Sequence, residues 1–539
     1  MADLRDEKLS DVEKDAASKA ESDVASVHSE GSRYHPWLKA LLSWGVEERG
    51  IVPVPYDQRT DKQFYKIFFV WFSMNFNILS FSTGTLGPIV FGLSLRDSCL
   101  VILFFNLLAC SLPAYFNTWG PRTGMRQMVH SRYSFGYYGL TIPALLNLIG
   151  LCGFNILNSI LGGQALASVS NDNMSWTVGI VIIAIVALVI SFMGYRVLTW
   201  YERLSWPPVL LAFIVALGVG GKHLYNAPSF SGEPASASTI LSFASVLAGF
   251  VITYSAMASD FTMYYEPTVS RYDPSISNHT FWLTPYPRRS RKIFLYSYLG
   301  YVVPIVCDFF HVREWLILNL SQIVLECLGV AAVMATPNVP SWNEGYGTAG
   351  NIGGLLSAML SPVGGFGKFL TVMLSLSVTA NIACTLYSIC FNFQVLVPSF
   401  SRVPRYVFSI VGTAISLPLS IVGAHRFYAT LTDFLSLIGY WASAYGAILI
   451  VEHYCFRNGD FNSYDHSSWN NPRRLPWGAA AIAAVILSFG LVIPCMQQVW
   501  FEGPIGTKTG DIGFEVAFPL AGILYFPLRK LELKYQKFD

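Results

Sequence analysis

Between Phe69 and Leu93 the chain reads FVWFSMNFNILSFSTGTLGPIVFGL, an apolar run long enough to cross a bilayer yet interrupted at its middle. A spanning helix needs about 20 mainly apolar residues, and Ser80 to Pro88 places hydroxyls, two glycines and a proline at the midpoint. Backbone released from helical hydrogen bonds at that depth is tolerated only against protein or a watery cavity. Broken helices near the midplane mark the binding sites of secondary transporters. The run therefore predicts a broken first span that opens onto a pocket.

Composition supports a membrane setting. Of 539 residues, 53% are hydrophobic and only 13% charged, and the mean hydropathy is +0.45, which excludes a soluble enzyme of this size. The net charge of +2 gives no reason to expect a nucleic-acid partner. Nine cysteines, mostly inside apolar runs and without CxxC pairing, read as packing residues. No apolar run opens the chain, so the expectation is no cleavable signal, with the first span acting as the targeting signal.

The pattern predicts an all-α polytopic membrane protein with about 12 transmembrane helices. Residues 1–62 are polar and charge-mixed and read as a disordered cytosolic tail. The first transmembrane repeat and the start of the second fall in 63–260, a cytosolic loop in 261–292, the rest of the second repeat in 293–451, the last two helices in 452–527 and a C-terminal tail in 528–539. Basic residues gather in connectors after even-numbered spans, among them Arg122, Arg126, Arg132, Arg288, Arg289, Arg402, Arg405, Arg473 and Arg474. The positive-inside rule then puts both termini in the cytosol. Five is an odd number of spans, so spans six to ten enter the membrane in the opposite sense to spans one to five. That is a five-plus-five inverted repeat. Span six, mirroring span one, is expected to break at Ala248-Gly249-Phe250 and Thr253-Tyr254-Ser255.

Two side-chain pairs spaced four apart, Phe154 with Asn158 in span three and Asn381 with Thr385 in span eight, each share a helix face. An amide offers donor and acceptor together and is costly to leave unpaired inside a membrane. It suits a planar heterocycle of ring nitrogens and carbonyls, with Phe154 and Tyr254 stacking on the ring faces. Interhelical bridging is the plainer role for such residues taken singly; their convergence on two broken helices favours a pocket. Glu202, Asp260, Glu326, Asp433, Glu452 and Glu515 lie within reach of the membrane and could relay a proton, and spacing does not choose among them. No His or Cys cluster has metal spacing, no nucleophile has a base and no phosphate loop follows a strand, so neither cofactor nor enzyme chemistry is expected.

Five separated motifs, NFNILSFSTGTLGPIVFGL, GPRTGMRQMVHSRYSFGYYG, NSILGGQAL, SPVGGFGKFL and LIGYWASAYGAILIVEH, together resemble the fungal purine-cytosine permeases of the first nucleobase cation symporter family. The similarity runs over nearly all of 60–530. It implies a plasma-membrane importer of nucleobases (cytosine, adenine, guanine or hypoxanthine) with a co-transported proton. The family's span-one serine falls on Ser80 and its span-three asparagine on Asn158. Its span-three and span-six tryptophans are Phe154 and Tyr254 here, and its A-N-N-x-P-N motif reads Ala380 to Thr385, keeping Asn381 and replacing the last asparagine by Thr385. Because a polar site rejects wrong hydrogen-bond patterns strongly, these changes bear on the substrate. Relatives similar to vitamin B6 importers make pyridoxine an alternative, and a transport-inactive sensor or degenerate paralogue is another.

Two stretches exceed the family pattern, 268–287 and 307–322. The second puts Asp308, His311, Arg313 and Glu314 inside span seven, expected at 293–334, where each charge would cost about 2.5–3.5 kcal/mol at mid-bilayer. Splitting the segment into two spans would turn Arg402, Arg405, Arg473 and Arg474 outward. One net crossing with the extra residues held at the interface is therefore expected, and both additions read as candidate translated introns.

Overall fold

The computed structural model describes residue 47 and residues 49–170, 173–225, 234–267, 322–348, 350–498 and 500–536. The additions at 268–287 and 307–322, and with them the question of how span seven begins, lie outside the described residues except for Gln322, which opens the helix Gln322–Ala335.

Eight helices among the described residues are long and apolar enough to cross a membrane: Leu95–Thr123, Thr141–Val169, Trp176–Met193, Tyr195–Leu224, Ala237–Ala256, Ile352–Leu396, Arg405–Gly423 and Thr430–Phe456. These are spans two to six and eight to ten. Span one is split, span seven is the Gln322–Asn338 segment with a sharp turn of 114° into Pro340–Tyr346, and Ala479–Cys495 and Gly513–Tyr535 are spans eleven and twelve. The protein is thus an all-helical polytopic membrane protein of the expected class. Its one described sheet is a two-stranded hairpin, Gln497–Gln498 with Phe501–Glu502, in the connector between the last two spans.

Span one breaks earlier than the sequence suggested. Ser80 to Pro88 is not the interruption: Ile78–Ile89 is helical, and the break falls at Phe76-Asn77 after the helix Lys66–Asn75. Asn77 starts the second helix by accepting from the backbone N–H groups of Leu79 at 2.7 Å and Ser80 at 3.2 Å, which satisfies donors a helix start leaves open. The hydroxyls read as breakers bond back into their own helix, Thr83 to the Leu79 carbonyl and Thr85 to the Ser82 carbonyl. Gly84 serves a crossing, since a Cβ there would lie 1.9 Å from the Glu326 carbonyl of span seven.

Span six departs in the same way. Ala248 to Phe250 stays inside the α-helix Ala237–Ile252, and the irregular part follows as two 3₁₀ turns, Thr253–Ala256 and Ala258–Phe261. Gly249 lets span ten approach, a Cβ at this position meeting the Leu435 carbonyl oxygen at 2.0 Å. Gly249→Val is therefore expected to force spans six and ten apart and to cost about 1–3 kcal/mol or more by overpacking. A lowered midpoint in thermal unfolding of the detergent-solubilised protein, with reduced surface abundance, is the result to look for.

The last part of the expected disordered tail is packed. Ile51, Val54 and Arg59 are buried, because Arg59 donates to the carbonyls of Val54, Pro121, Arg122 and Thr123 and so ties the segment to the connector after span two. Four charge-assisted bonds from one guanidinium outweigh the solubility of a short polar stretch.

Candidate functional site

At the break in span one the Met74 carbonyl accepts from an asparagine of span eight, and a second asparagine, from span three, holds the first. Asn381 of span eight donates from Nδ2 to the Met74 carbonyl at 3.0 Å and to the Tyr254 hydroxyl at 2.9 Å. Its Oδ1 accepts from Asn158 Nδ2 at 3.0 Å, and the same amide donates to the Phe154 carbonyl at 2.8 Å. One chain of hydrogen bonds thus joins spans three, eight, one and six, the last through its first 3₁₀ turn. Asn158 Oδ1 is left without a partner among the described residues. Ser80 stands at the same break, donating to the Asn75 carbonyl at 2.5 Å.

The six residues singled out from sequence, Ser80, Phe154, Asn158, Tyr254, Asn381 and Thr385, are all fully buried. They do not all meet. Thr385 lies one turn further along span eight and bonds Asn155 and the Asn381 carbonyl instead of Asn158. The rings of Phe154 and Tyr254 stack on each other, with centroids 5.1 Å apart and planes at 23°. A third ring between them needs two contact distances, about 7 Å. In this arrangement, then, the pair presents one shared aromatic wall and does not sandwich a ligand. Trp71, a turn before the break, extends that wall with its ring 5.7 Å from Tyr254.

Asn155, Trp71 and the Met74 carbonyl escaped the sequence reading. Asn155 carried a signal, being an amide three residues from Asn158 on the same face. The Met74 carbonyl carried none, since its exposure depends on where the helix breaks.

The basic side of the site is closed by a charged cluster. Arg126, fully buried, donates to Glu47 at 2.8 Å, to the Tyr387 hydroxyl at 2.9 Å and to the Asp260 carbonyl at 2.9 Å, with its guanidinium 3.6 Å from the centre of the Phe391 ring. Glu47 also accepts from Tyr264 at 2.6 Å, Tyr387 at 3.1 Å and the Tyr195 backbone at 3.1 Å, while Arg405 Nε donates to its carbonyl at 3.1 Å. Burial would raise the Glu47 carboxyl, but Arg126 and Arg405 together with the two tyrosine hydroxyls hold it below the usual carboxylate range.

Residues 53–285 match the family described as permeases for cytosine/purines, uracil, thiamine and allantoin. The purine-cytosine permease fcyB of Emericella nidulans is 36% identical over 509 residues, covering 94% of this chain and 92% of its own. The vitamin B6 transporter of Saccharomyces cerevisiae is 29% identical over 555 residues, covering 92% and 90%. Among solved structures, Mhp1, a nucleobase-cation-symport-1 family transporter in a closed conformation with bromovinylhydantoin bound, matches with a TM-score of 0.67 at 17% identity over 92% of this chain and 97% of that one, a likeness of fold.

Proposed function

We propose that this chain, which belongs to the family of permeases for cytosine and purines, uracil, thiamine and allantoin, imports a purine or pyrimidine nucleobase together with a proton. It is a polytopic membrane transporter and not an enzyme. As part of the same proposal, it works in the plasma membrane with both termini cytosolic, and spans one and six rock about the central site in alternating access.

One observation supports the substrate class most: the carboxamide of Asn158, fully buried and anchored by Asn381, has an oxygen without a partner among the described residues. That oxygen accepts a hydrogen bond that an amino group or a ring N–H on a nucleobase edge donates, while both Nδ2 hydrogens stay with Phe154 and Asn381. Ser80, Asn381 and Tyr254 complete the polar lining, Phe154 supplies the aromatic wall, and Thr385 acts from one turn away through Asn155. Tyr254→Phe, which takes one partner from Asn381, is expected to raise the apparent KM about five- to tenfold with the surface level unchanged, the consequence of an unpaired buried N–H. Saturation curves for labelled cytosine measure it.

Pyridoxine is the second reading, favoured by the vitamin B6 transporter among the relatives and by Phe154, Tyr254 and Thr385 standing where the permease pattern has other residues. The deciding experiment is uptake of labelled cytosine, adenine, hypoxanthine and pyridoxine into cells lacking their own importers. Accumulation of a nucleobase, abolished by a protonophore, is expected. Accumulation of pyridoxine alone would select the second reading, and no uptake by protein present at the surface would make the chain a sensor or an inactive paralogue.

A further inference from the structure

We propose that Glu202 is the group that binds and releases the co-transported proton. This rests on the reading of the chain as a proton-coupled importer and names the side chain that does the coupling.

Of the other acids named from the sequence, Glu452, Asp260, Glu326 and Asp433 have partners. Glu452 is paired with Arg457 and Arg529. Asp260 accepts from the Gln127 backbone and from Ser388, beside Arg126. Both oxygens of Glu326 are taken by carboxamides, from Asn106 at 2.6 Å and Gln322 at 2.7 Å. Glu515 has no side-chain hydrogen-bond partner among the described residues, but it sits in the first turn of span twelve, which packs mainly on spans ten and eleven.

Glu202 differs in place and in partners. It is fully buried in span five. One carboxyl oxygen accepts from Cys384 Sγ at 3.4 Å, Ser73 stands beside the group, and Oε2 makes no hydrogen bond among the described residues. Cys384 lies between Asn381 and Thr385 on span eight, and Ser73 lies two residues before Asn75, where span one breaks. One carboxyl group therefore touches both helices whose backbone and amides build the site.

Among the described residues no cation bonds Glu202, and Arg203, next to it on the helix, donates to Gln63 at 3.1 Å instead. From span eight the titratable neighbour is Cys384, and from span one Lys66 is already bound to Asp61. Span four and the helix Ile352–Leu360 carry no titratable side chain. On span seven Glu326 and Cys327 are engaged with Asn106, Gln322 and Cys99. On span five itself, Tyr201 bonds Thr379.

An open hollow lies beside Glu202 on the same helix. Thr199 and Arg203, within a turn of Glu202, line an open hollow of about 490 Å³ together with Gln63, Lys66 and Arg196, at the basic ends of spans one and five. With a proton bound, the carboxyl sits uncharged against Ser73 and Cys384 and leaves spans one, five and eight packed. Once the proton is lost to water in the hollow, the carboxylate needs solvent, which it reaches only if spans one and five part. Two conformations that bind the proton unequally are what coupling requires. No bond but O–H forms or breaks, and nothing is oxidised.

The test compares the parent, E202Q, E202D and E326Q in the full-length chain. For each, labelled-cytosine uptake across acidic to neutral pH, cytosine-evoked proton entry, trans-stimulated exchange of cytosine and surface abundance are measured. E202Q is expected to keep exchange within about twofold of the parent while accumulation falls about tenfold or more, with proton entry and the pH dependence of uptake lost. E202D and E326Q are expected to retain pH-dependent uptake. Parent-like accumulation and proton entry in E202Q would overturn the assignment, as would their loss in E326Q alone. Loss of exchange in both E202Q and E202D at normal surface abundance would also overturn it, marking a packing role. A parent that imports cytosine without proton entry would overturn the coupling reading itself and this assignment with it.

Discussion

Asn158→Ala is expected to reduce cytosine uptake by about 100-fold or more while the protein still reaches the surface. The substitution removes the unpartnered acceptor at the bundle centre and also strips Asn381 Oδ1 of its donor. A site made for a polar group tolerates losing it poorly, because its remaining buried polar atoms are then unpaired. The fold itself has less to lose: Asn381 keeps its bonds to Met74 and Tyr254, which still join spans eight, one and six. Initial rates normalised to surface protein separate the two effects. A variant with normal rates would remove Asn158 from the site.

The second large effect is expected far from that amide. Glu47→Ala leaves Arg126 and Arg405 buried and facing each other's charge without the carboxylate that neutralises them. Removing one partner of a buried ion pair costs about 3–5 kcal/mol, and here the loss falls on the closure of the basic side. The expected outcome is uptake lowered about tenfold or more, with faster labelling of a cysteine placed at Ser255 by a reagent applied from the basic side. Glu47→Gln keeps two acceptor bonds and is expected to fall between the parent and Ala. Unchanged uptake and labelling would mean that Glu47 lies on the closure without holding it.

The helical membrane class, a break in each of spans one and six, and the burial of Asn158 and Asn381 near those breaks were legible because each follows from a local rule, whether apolar length or an amide inside an apolar run. The position of each break was not. Proline and glycine drew attention to Ser80–Pro88 and to Ala248–Phe250, yet both stretches are helical, and their glycines answer to Glu326 and Leu435 on other spans. A glycine that admits a neighbouring backbone and one that ends a helix look the same in one dimension. The better signal for span one was Asn75-Phe76-Asn77, a capping amide inside an apolar run, where its side chain has nothing to bond except the backbone it interrupts. Glu47 was opaque for another reason. Within a charge-mixed tail a single carboxylate carries no mark of the two arginines, from connectors far along the chain, that the fold brings to it.

Import of this kind requires a nucleobase to bind at the Asn158–Asn381 amide pair. Equilibrium binding of labelled cytosine to the purified protein in detergent, for the parent and for Asn158→Ala, tests it apart from coupling, trafficking and closure. Saturable binding to the parent, displaced by adenine or hypoxanthine more strongly than by pyridoxine, is expected, with its loss in the variant. Equal binding to both proteins would contradict it.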